Sequence, residues 1–156
     1  LCQKIGVAGL KYFLLKVDPK KKMSFDPKES IDLNGNTGPF VQYGYARIKS
    51  LLQKVDIDKD FKLNHFQLSD KELGLIKVLS NFPNTIRSSS QEMSPAILSN
   101  YLFNLVKSYN SFYQDSPIIK EANVNLRIFR IQLSHLTAEV IKKGMGLMGI
   151  EVPERM

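Results

Sequence analysis

The sequence predicts an all-α protein folded as a helical bundle. Apolar residues recur at three- and four-residue steps, helix-capping patterns precede several of these segments, and no convincing apolar–polar alternation indicates strands. The chain has 156 residues, of which 43% are hydrophobic and 24% charged, enough for one substantial core. Because each helix presents one apolar stripe that only other helices can cover, a bundle follows.

The N-terminal part predicts a helix, a linker and a second helix start. An apolar segment with scattered lysines indicates a helix at residues 2–17, and a lysine-rich connection containing proline follows it. The sequence Asp-Pro-Lys-Glu at residues 26–29 is typical of a helix start, with Asp as N-cap, Pro first and Glu placed to reach back.

A turn dipeptide and a capping pattern predict the start of the next helix. Residues 34–35, Asn-Gly, are a strong turn dipeptide, and Thr-Gly-Pro at residues 37–39 begins a helix that we expect to end near residue 54. Residues 55–68 carry no clear pattern, so they receive no assignment.

Four further helices are predicted in the C-terminal half. A capping box at residues 69–72 opens a helix to about residue 80, and Phe-Pro at residues 82–83 separates it from a short helix ending near residue 91. Ser-Pro at residues 94–95 begins a long helix that ends at the break in residues 115–117. A last helix spans residues 122–143, and its predicted apolar face carries Leu126, Phe129, Leu133, Leu136 and Val140.

Composition restricts the possible functions. The net charge of +7 and pI near 9.5 favour an anionic partner, although charge governs association and says nothing about fold. The single cysteine, Cys2, excludes a disulfide framework, and with only His65 and His135 beside it no zinc cluster of soft ligands can form. No segment resembles a membrane span or a signal peptide, so we expect a cytoplasmic protein without membrane association.

The glycine-rich segments are not interpreted as nucleotide sites. Residues 144–149 spell the dinucleotide-binding pattern G-x-G-x-x-G, but they follow a helix instead of a strand, so we interpret them as a helix C-terminus unwinding through glycines. Residues 34–38 lack the Lys-Ser or Lys-Thr pair of a phosphate loop. No catalytic constellation is recognisable, so we do not expect this chain to be catalytic alone.

The helix after Pro39 carries the candidate site. Its predicted buried stripe is formed by Val41, Tyr45, Ile48 and Leu52. A second stripe, of Phe40, Tyr43 and Arg47, is turned away from the first by roughly 110–170°. Aromatic planes and a guanidinium group at this spacing suit unpaired RNA bases, because rings stack and guanidinium groups bind phosphates and base edges. Neighbouring helices could instead cover both stripes, and packing in the core is the favoured explanation for Tyr101.

The sequence resembles the anticodon-binding domain of arginyl-tRNA synthetases. The resemblance rests on NGNTGPFVQYGYARI at residues 34–48, which contains the family's aromatic–x–Gln–Tyr–x–x–x–Arg signature. It rests also on AGLKYFLL at residues 8–15, LSNYLFNL at 98–105, NSFY at 110–113 and GIEVPERM at 149–156. The resemblance covers nearly the whole chain.

The resemblance implies residue roles that the pattern alone does not. Tyr43 and Arg47 match residues that contact bases of the anticodon loop, Tyr101 matches another base-contacting tyrosine, and Met156 matches a terminal residue that closes on the loop. Phe40 stands where the family often has tyrosine, which keeps the ring and removes a hydroxyl group.

The resemblance also implies an activity for a longer protein. Family members join arginine to its tRNA with ATP and magnesium, whereas this chain lacks the catalytic motifs and is expected to need no cofactor. Because the chain opens at Leu1 within a predicted helix, we expect it to start inside a longer protein and run to a natural C-terminus. Residues 1–25 would be a connecting helix and linker from the catalytic domain, and residues 26–156 the anticodon-binding domain.

The expected partner is therefore an arginine tRNA, bound through its anticodon stem-loop by a monomeric protein. Two alternatives stay open at this point. One is the related helical module of a cysteinyl or glycyl synthetase. The other is a helical scaffold whose aromatic stripe binds a partner helix, which would predict little salt dependence and no preference for RNA.

Overall fold

The chain folds into a bundle of helices, as the sequence predicts. The structure, a computed structural model, describes residues 1–55 and 67–156. Within these residues all regular secondary structure is helical and no strand occurs. The helices are α1 (Cys2–Leu15), α2 (Pro27–Ser30), α3 (Gly38–Leu52), α4 (Asp70–Ser80), α5 (Phe82–Gln91), α6 (Pro95–Asp115) and α7 (Val124–Leu147).

The predicted helix starts are confirmed by their hydrogen bonds. The side chain of Asp26 accepts from the first backbone N–H groups of α2, and the Thr37 hydroxyl accepts from the backbone of Phe40 at the start of α3. Ser69 and Glu72 form the reciprocal capping box of α4. Glu29 does not reach back to its own helix start, because its carboxylate accepts instead from Lys16 Nζ over 2.8 Å. Of the unassigned segment, residues 56–66 lie outside the described residues.

Helices α3, α6 and α7 build the centre of the bundle. The predicted buried stripe of α3 is confirmed, since Val41, Tyr45, Ile48 and Leu52 are all at most 9% exposed. Helix α3 meets α6 closely at Gly44, where an added Cβ would lie 2.6 Å from Val106 Cγ1. A larger residue at this position would therefore separate the two helices that carry the candidate site.

Helix α7 differs from its prediction in length and in face. It continues to Leu147, because Gly144 lies in the helix against Leu102 and does not unwind it. Leu136 is 52% exposed, so the predicted apolar face is wrong at this position. The buried face is centred on Ser134 and Thr137, whose hydroxyls donate to backbone carbonyl groups one turn earlier. These polar residues can therefore be buried, and a prediction from the positions of apolar residues misses them.

Helix α1 packs into the same core as the later helices. Tyr12 is fully buried, and its hydroxyl donates to the backbone carbonyl of Ser99 over 2.6 Å and lies 2.8 Å from the side-chain amide of Asn36. Burial raises the pKa of Tyr12, so the hydroxyl stays protonated and able to donate. The division of the chain between residues 25 and 26 stays a prediction.

Candidate nucleic-acid interface

A basic cleft lies between α3, the end of α6 and the C-terminal segment 149–156. Its volume is about 740 Å³. No acidic side chain lines it among the residues that the structure describes, whereas three cationic side chains do. Its cationic, aromatic and thioether side chains are Tyr43, Arg47, Lys54, Tyr113, Arg155 and Met156. The cleft is therefore suited to an anionic ligand that also presents planar or apolar groups.

The guanidinium group of Arg47 is held by contacts from both helices. Its Nη1 donates to Asn110 Oδ1 on α6 over 2.9 Å, and its Nη2 lies 3.4 Å from the Tyr43 hydroxyl one turn back on α3. The guanidinium carbon lies 4.9 Å from the centre of the Tyr43 ring and 5.8 Å from that of the Tyr113 ring. Both distances are within the range of cation–π attraction, so the orientation of Arg47 is set before any ligand arrives.

The rings beside Arg47 remain partly open to solvent. Tyr43 is 42% exposed and Tyr113 is 38% exposed, so part of each ring stays accessible to a ligand even though it lies beside the guanidinium group. An exposed ring on a rigid helix offers a stacking surface at a small cost in conformational entropy. Met156 is 40% exposed and contributes a polarisable thioether to the same cleft.

The C-terminal segment is tied to α3, and this places its last residues at the cleft. It turns away from α7 at Gly149, where a backbone φ of +67° favours glycine. The buried amide of Gln42 donates from Nε2 to the carbonyl of Glu151 over 2.7 Å. Further along, Lys49 pairs with Glu154 over 3.2 Å, and this hydrogen bond raises the pKa of Lys49.

Two of the residues expected at the site lie elsewhere. Phe40 is half-buried and packs against Phe103, with ring centres 5.2 Å apart. Tyr101 is only 8% exposed, and its hydroxyl donates to the carbonyl of Val78 over 3.1 Å while its ring packs on Phe82. Burial raises the pKa of Tyr101 to about 12. The structure thus brings Tyr43, Arg47 and Met156 together and leaves Tyr101 and Phe40 in packing roles.

The sequence did not predict that the C-terminal part of α6 contributes to the cleft. Asn110 and Tyr113 lie three residues apart on α6, away from the stripe that Leu105, Tyr109 and Phe112 bury in the core. Like Tyr43 and Arg47, which are four residues apart, they pair an aromatic with a polar side chain on a less buried helix face. That signal becomes specific only once the packing of α3 against α6 is known.

The described residues do not fit a nucleotide at the glycine-rich segment 144–149. Gly144 and Gly146 lie inside α7, where backbone N–H groups serve the helix and cannot face a pyrophosphate. No group of three or more potential metal ligands occurs among residues 1–55 and 67–156. In the same residues no helix is both long and apolar enough to cross a membrane.

The chain is similar to known proteins over most of its length. The family of DALR anticodon binding domains matches residues 41–156. A relative from Bacteroides fragilis, named arginine–tRNA ligase, is 50% identical over 157 residues, which cover 97% of this chain and 26% of the relative. A relative of the same name from Flavobacterium psychrophilum is 48% identical and covers 100% of this chain and 26% of its own length.

The fold is similar to that of solved synthetases. The arginyl-tRNA synthetase of Thermus thermophilus superposes with a TM-score of 0.89 at 27% sequence identity, covering 99% of this chain and 27% of that one. This chain therefore spans about a quarter of the length of the proteins it matches. The matched region includes α1 and α2, which precede the part described by the domain family.

Proposed function

The chain belongs to the family of DALR anticodon binding domains, and we propose that its basic cleft binds the anticodon loop of an arginine tRNA. The observation that carries the proposal is the arrangement of Arg47 beside two exposed tyrosine rings, Tyr43 and Tyr113. The curated relatives named arginine–tRNA ligase favour arginine over the cysteinyl and glycyl alternatives.

Single-stranded RNA loops present the groups that this cleft can recognise. Unstacked bases stack on aromatic rings, and each such contact contributes about 1–3 kcal/mol by alanine substitution. Tyr43 and Tyr113 offer the rings, while Lys54 and Arg155 supply attraction to phosphates at the rim. Met156 would close on the loop from the C-terminal segment. Tyr101 and Phe40 are assigned indirect roles, because their rings pack inside the bundle.

The guanidinium of Arg47 suits a base with two adjacent acceptors. Arginine anticodons carry cytosine at the middle position, and the Watson–Crick edge of cytosine presents its O2 and N3 atoms side by side as acceptors. Uracil replaces the N3 acceptor with an N–H donor, which would face an arginine donor without a partner. Leaving such buried donors unpaired costs about 1–3 kcal/mol, so Arg47 can discriminate between the two bases.

We further propose that the longer protein is an arginine–tRNA ligase of the cytoplasm. Its ATP, magnesium and arginine sites would lie outside this chain, which covers about a quarter of its relatives. This chain would act as the monomeric module that anchors the tRNA. Size-exclusion chromatography with light scattering tests the monomeric state, and a concentration-dependent dimer would contradict it.

The deciding experiment is a titration of the chain with two RNA stem-loops at low salt. One carries an arginine anticodon, and the other differs only by uracil for the middle cytosine. We expect tighter binding of the cytosine loop, by about tenfold for a loss of about 1.4 kcal/mol, and a fall in both affinities as salt rises. Equal binding would leave only a basic RNA-binding surface, and no binding at all would contradict the proposal.

Variants identify the residues that carry the discrimination. Arg47→Ala is expected to abolish the preference for cytosine, and Tyr43→Ala to weaken binding of both loops through lost stacking. Lys77 lies outside the cleft, next to Tyr101, so Lys77→Ala is the matched control for loss of a positive charge. If Lys77→Ala weakened binding as much as Arg47→Ala, general charge would explain the affinity.

A further inference from the structure

We propose that Asn110 is a positioning residue that sets the base selectivity of Arg47. The inference rests on the proposed function and adds to it a residue on the opposite helix. Asn110 lies on α6, is half-buried, and accepts a hydrogen bond from the guanidinium group of Arg47. It would not contact RNA itself, and would act by fixing which donors of Arg47 face the ligand.

Three side chains orient the guanidinium group of Arg47: Tyr43, Tyr113 and Asn110. The rings of Tyr43 and Tyr113 attract the cation but leave it free to rotate in its own plane, because cation–π attraction depends little on that rotation. The hydrogen bond from Nη1 to Asn110 Oδ1, at 2.9 Å, removes this freedom. The second polar contact, from Nη2 to the Tyr43 hydroxyl, is longer at 3.4 Å and holds the group less firmly.

Asn110 is a neutral acceptor, and this leaves the charge of Arg47 uncancelled. A guanidinium group has five N–H donors, so giving one of them to an amide oxygen leaves most of the fork available to a base. An aspartate at the same place would accept equally well, but its charge would cancel that of Arg47 and repel phosphates. An amide therefore orients the arginine while leaving the whole positive charge to the RNA. No acidic side chain lines the cleft among the described residues, so no Asp or Glu side chain there offsets this charge.

Orientation and charge predict different experimental signatures. A correctly oriented fork distinguishes bases and so affects the ratio of affinities for two loops. A positive charge attracts any RNA, and so affects all affinities together and their dependence on salt. Substitutions at Asn110 can separate these effects, whereas removal of Arg47 changes both at once.

The test compares four proteins with the cytosine and uracil stem-loops: the unchanged chain, Asn110→Ala, Asn110→Asp and Asn104→Ala. For Asn110→Ala we expect the cytosine-to-uracil affinity ratio to fall by about five- to tenfold, with little change in uracil-loop affinity or salt dependence. For Asn110→Asp we expect both loops to bind more weakly, the ratio to be kept and the salt slope to fall by about one. Asn104 lies on the same helix outside the cleft, so Asn104→Ala should leave all these quantities unchanged.

Several outcomes would overturn the inference while leaving the proposed function intact. The cytosine-to-uracil ratio could stay unchanged in Asn110→Ala with both affinities kept, which would mean that Asn110 does not orient Arg47. It could also stay unchanged with both affinities reduced equally, which would indicate a structural role only. A thermal unfolding curve of each variant shows whether it folds. If Asn110→Ala does not fold, Asn110→Asp decides, because loss of the ratio in that variant would also overturn the inference. Equal binding of both loops by the unchanged chain would instead contradict the proposed function, and the inference with it.

Discussion

The guanidinium of Arg130 donates from Nε to Glu72 Oε1 over 2.6 Å, and both side chains are almost completely buried. Arg130 Nη1 also donates to Glu121 Oε2 and to the carbonyl of Pro117, each over 2.7 Å. The second oxygen of Glu72 accepts from the backbone of Ser69 in the α4 capping box. One guanidinium thus joins the start of α4, the connection after α6 and the N-terminal part of α7.

Removing the cation of this network should destabilise the fold strongly. Arg130→Met leaves the fully buried Glu72 carboxylate without its partner, so the free energy of unfolding should fall by about 3–5 kcal/mol in urea denaturation. The double variant Arg130→Met with Glu72→Met should lose less than this, because the remaining carboxylate, that of Glu121, is partly exposed and no fully buried charge is left unpaired.

A surface ion pair near the same network provides the control. Lys71 lies 3.6 Å from Asp115 and both side chains are more than half exposed. Lys71→Met should change the unfolding free energy by less than about 1 kcal/mol. A similar loss for the buried and the exposed pair would contradict the importance assigned to burial.

Acidification should weaken the same corner of the fold through Glu121. Donation from the backbone of Asn123, and the positive charge of Arg130, hold the pKa of Glu121 below its usual value. A pKa that is lower in the folded than in the unfolded state stabilises the fold above the unfolded value of about 4.3. This contribution is lost as the pH falls through the folded pKa.

Stability measurements on Glu121→Gln can check the sign. The variant should be less stable than the unchanged chain near neutral pH, and the difference should shrink at a pH below the folded pKa of Glu121, where the carboxylate is protonated in both states. A difference of the same size at both pH values would mean that the charge of Glu121 is irrelevant.

Gly44 sets the distance between the two helices that carry the cleft. An alanine Cβ there would approach Val106 Cγ1 to 2.6 Å, and a β-branched side chain cannot swing away easily. Gly44→Ala should lower the unfolding free energy by about 1–3 kcal/mol and displace Tyr43 from its position beside Arg47. Gly74→Ala is the matched control, because nothing lies within 4 Å of its added Cβ. It should stabilise α4 by about 0.5–1 kcal/mol.

Tyr101 illustrates how far a helical pattern can predict a site. Its spacing on α6 is as favourable for a base contact as that of Tyr43 on α3, but Phe82 and the carbonyl of Val78 cover it in the fold. Tyr101→Phe should therefore lower the unfolding free energy by about 1 kcal/mol through the lost hydrogen bond. It should leave the cytosine-to-uracil affinity ratio unchanged. A lower ratio would mean that Tyr101 does take part in base recognition.

Local signals explain most of what the sequence predicted. The cap at Thr37 and the capping box at Ser69 involve residues three apart, so their geometry is fixed before any tertiary contact forms. The buried and less buried faces of α3 follow in the same way from a period of 3.6 residues. From these signals the sequence correctly predicted that Tyr45 is buried and that Tyr43 lies on the less buried face.

Tertiary packing explains what the sequence did not predict. The contribution of Asn110 and Tyr113 depends on the height at which α6 passes α3, which no local pattern encodes. Leu136 points outward because Ser134 and Thr137 occupy the buried face of α7. Their hydroxyl groups can be buried since they bond to carbonyl groups of their own helix. The first case depends on a contact between two helices, whereas the second depends on polar side chains that can be buried because they bond within their own helix.

The amide of Gln42 should affect RNA binding more than stability. It ties the C-terminal segment to α3 through Glu151, while its Oε1 is the buried side-chain atom without a hydrogen-bond partner among the described residues. Gln42→Met removes a hydrogen bond and an unsatisfied oxygen together, so the unfolding free energy should change by less than about 1 kcal/mol.

RNA affinity should nevertheless fall in Gln42→Met. Without the tie, Arg155 and Met156 must be ordered at the cleft during binding, at about 0.5–1.5 kcal/mol for each side chain. The cost for both is about 1–3 kcal/mol, which corresponds to an affinity loss of about fivefold to 150-fold. A double-mutant cycle separates this explanation from a general defect: in a chain that already carries Arg155→Ala and Met156→Ala, Gln42→Met should have no further effect. An equal loss of affinity in both backgrounds would mean that Gln42 acts on the cleft by another route than the C-terminal segment.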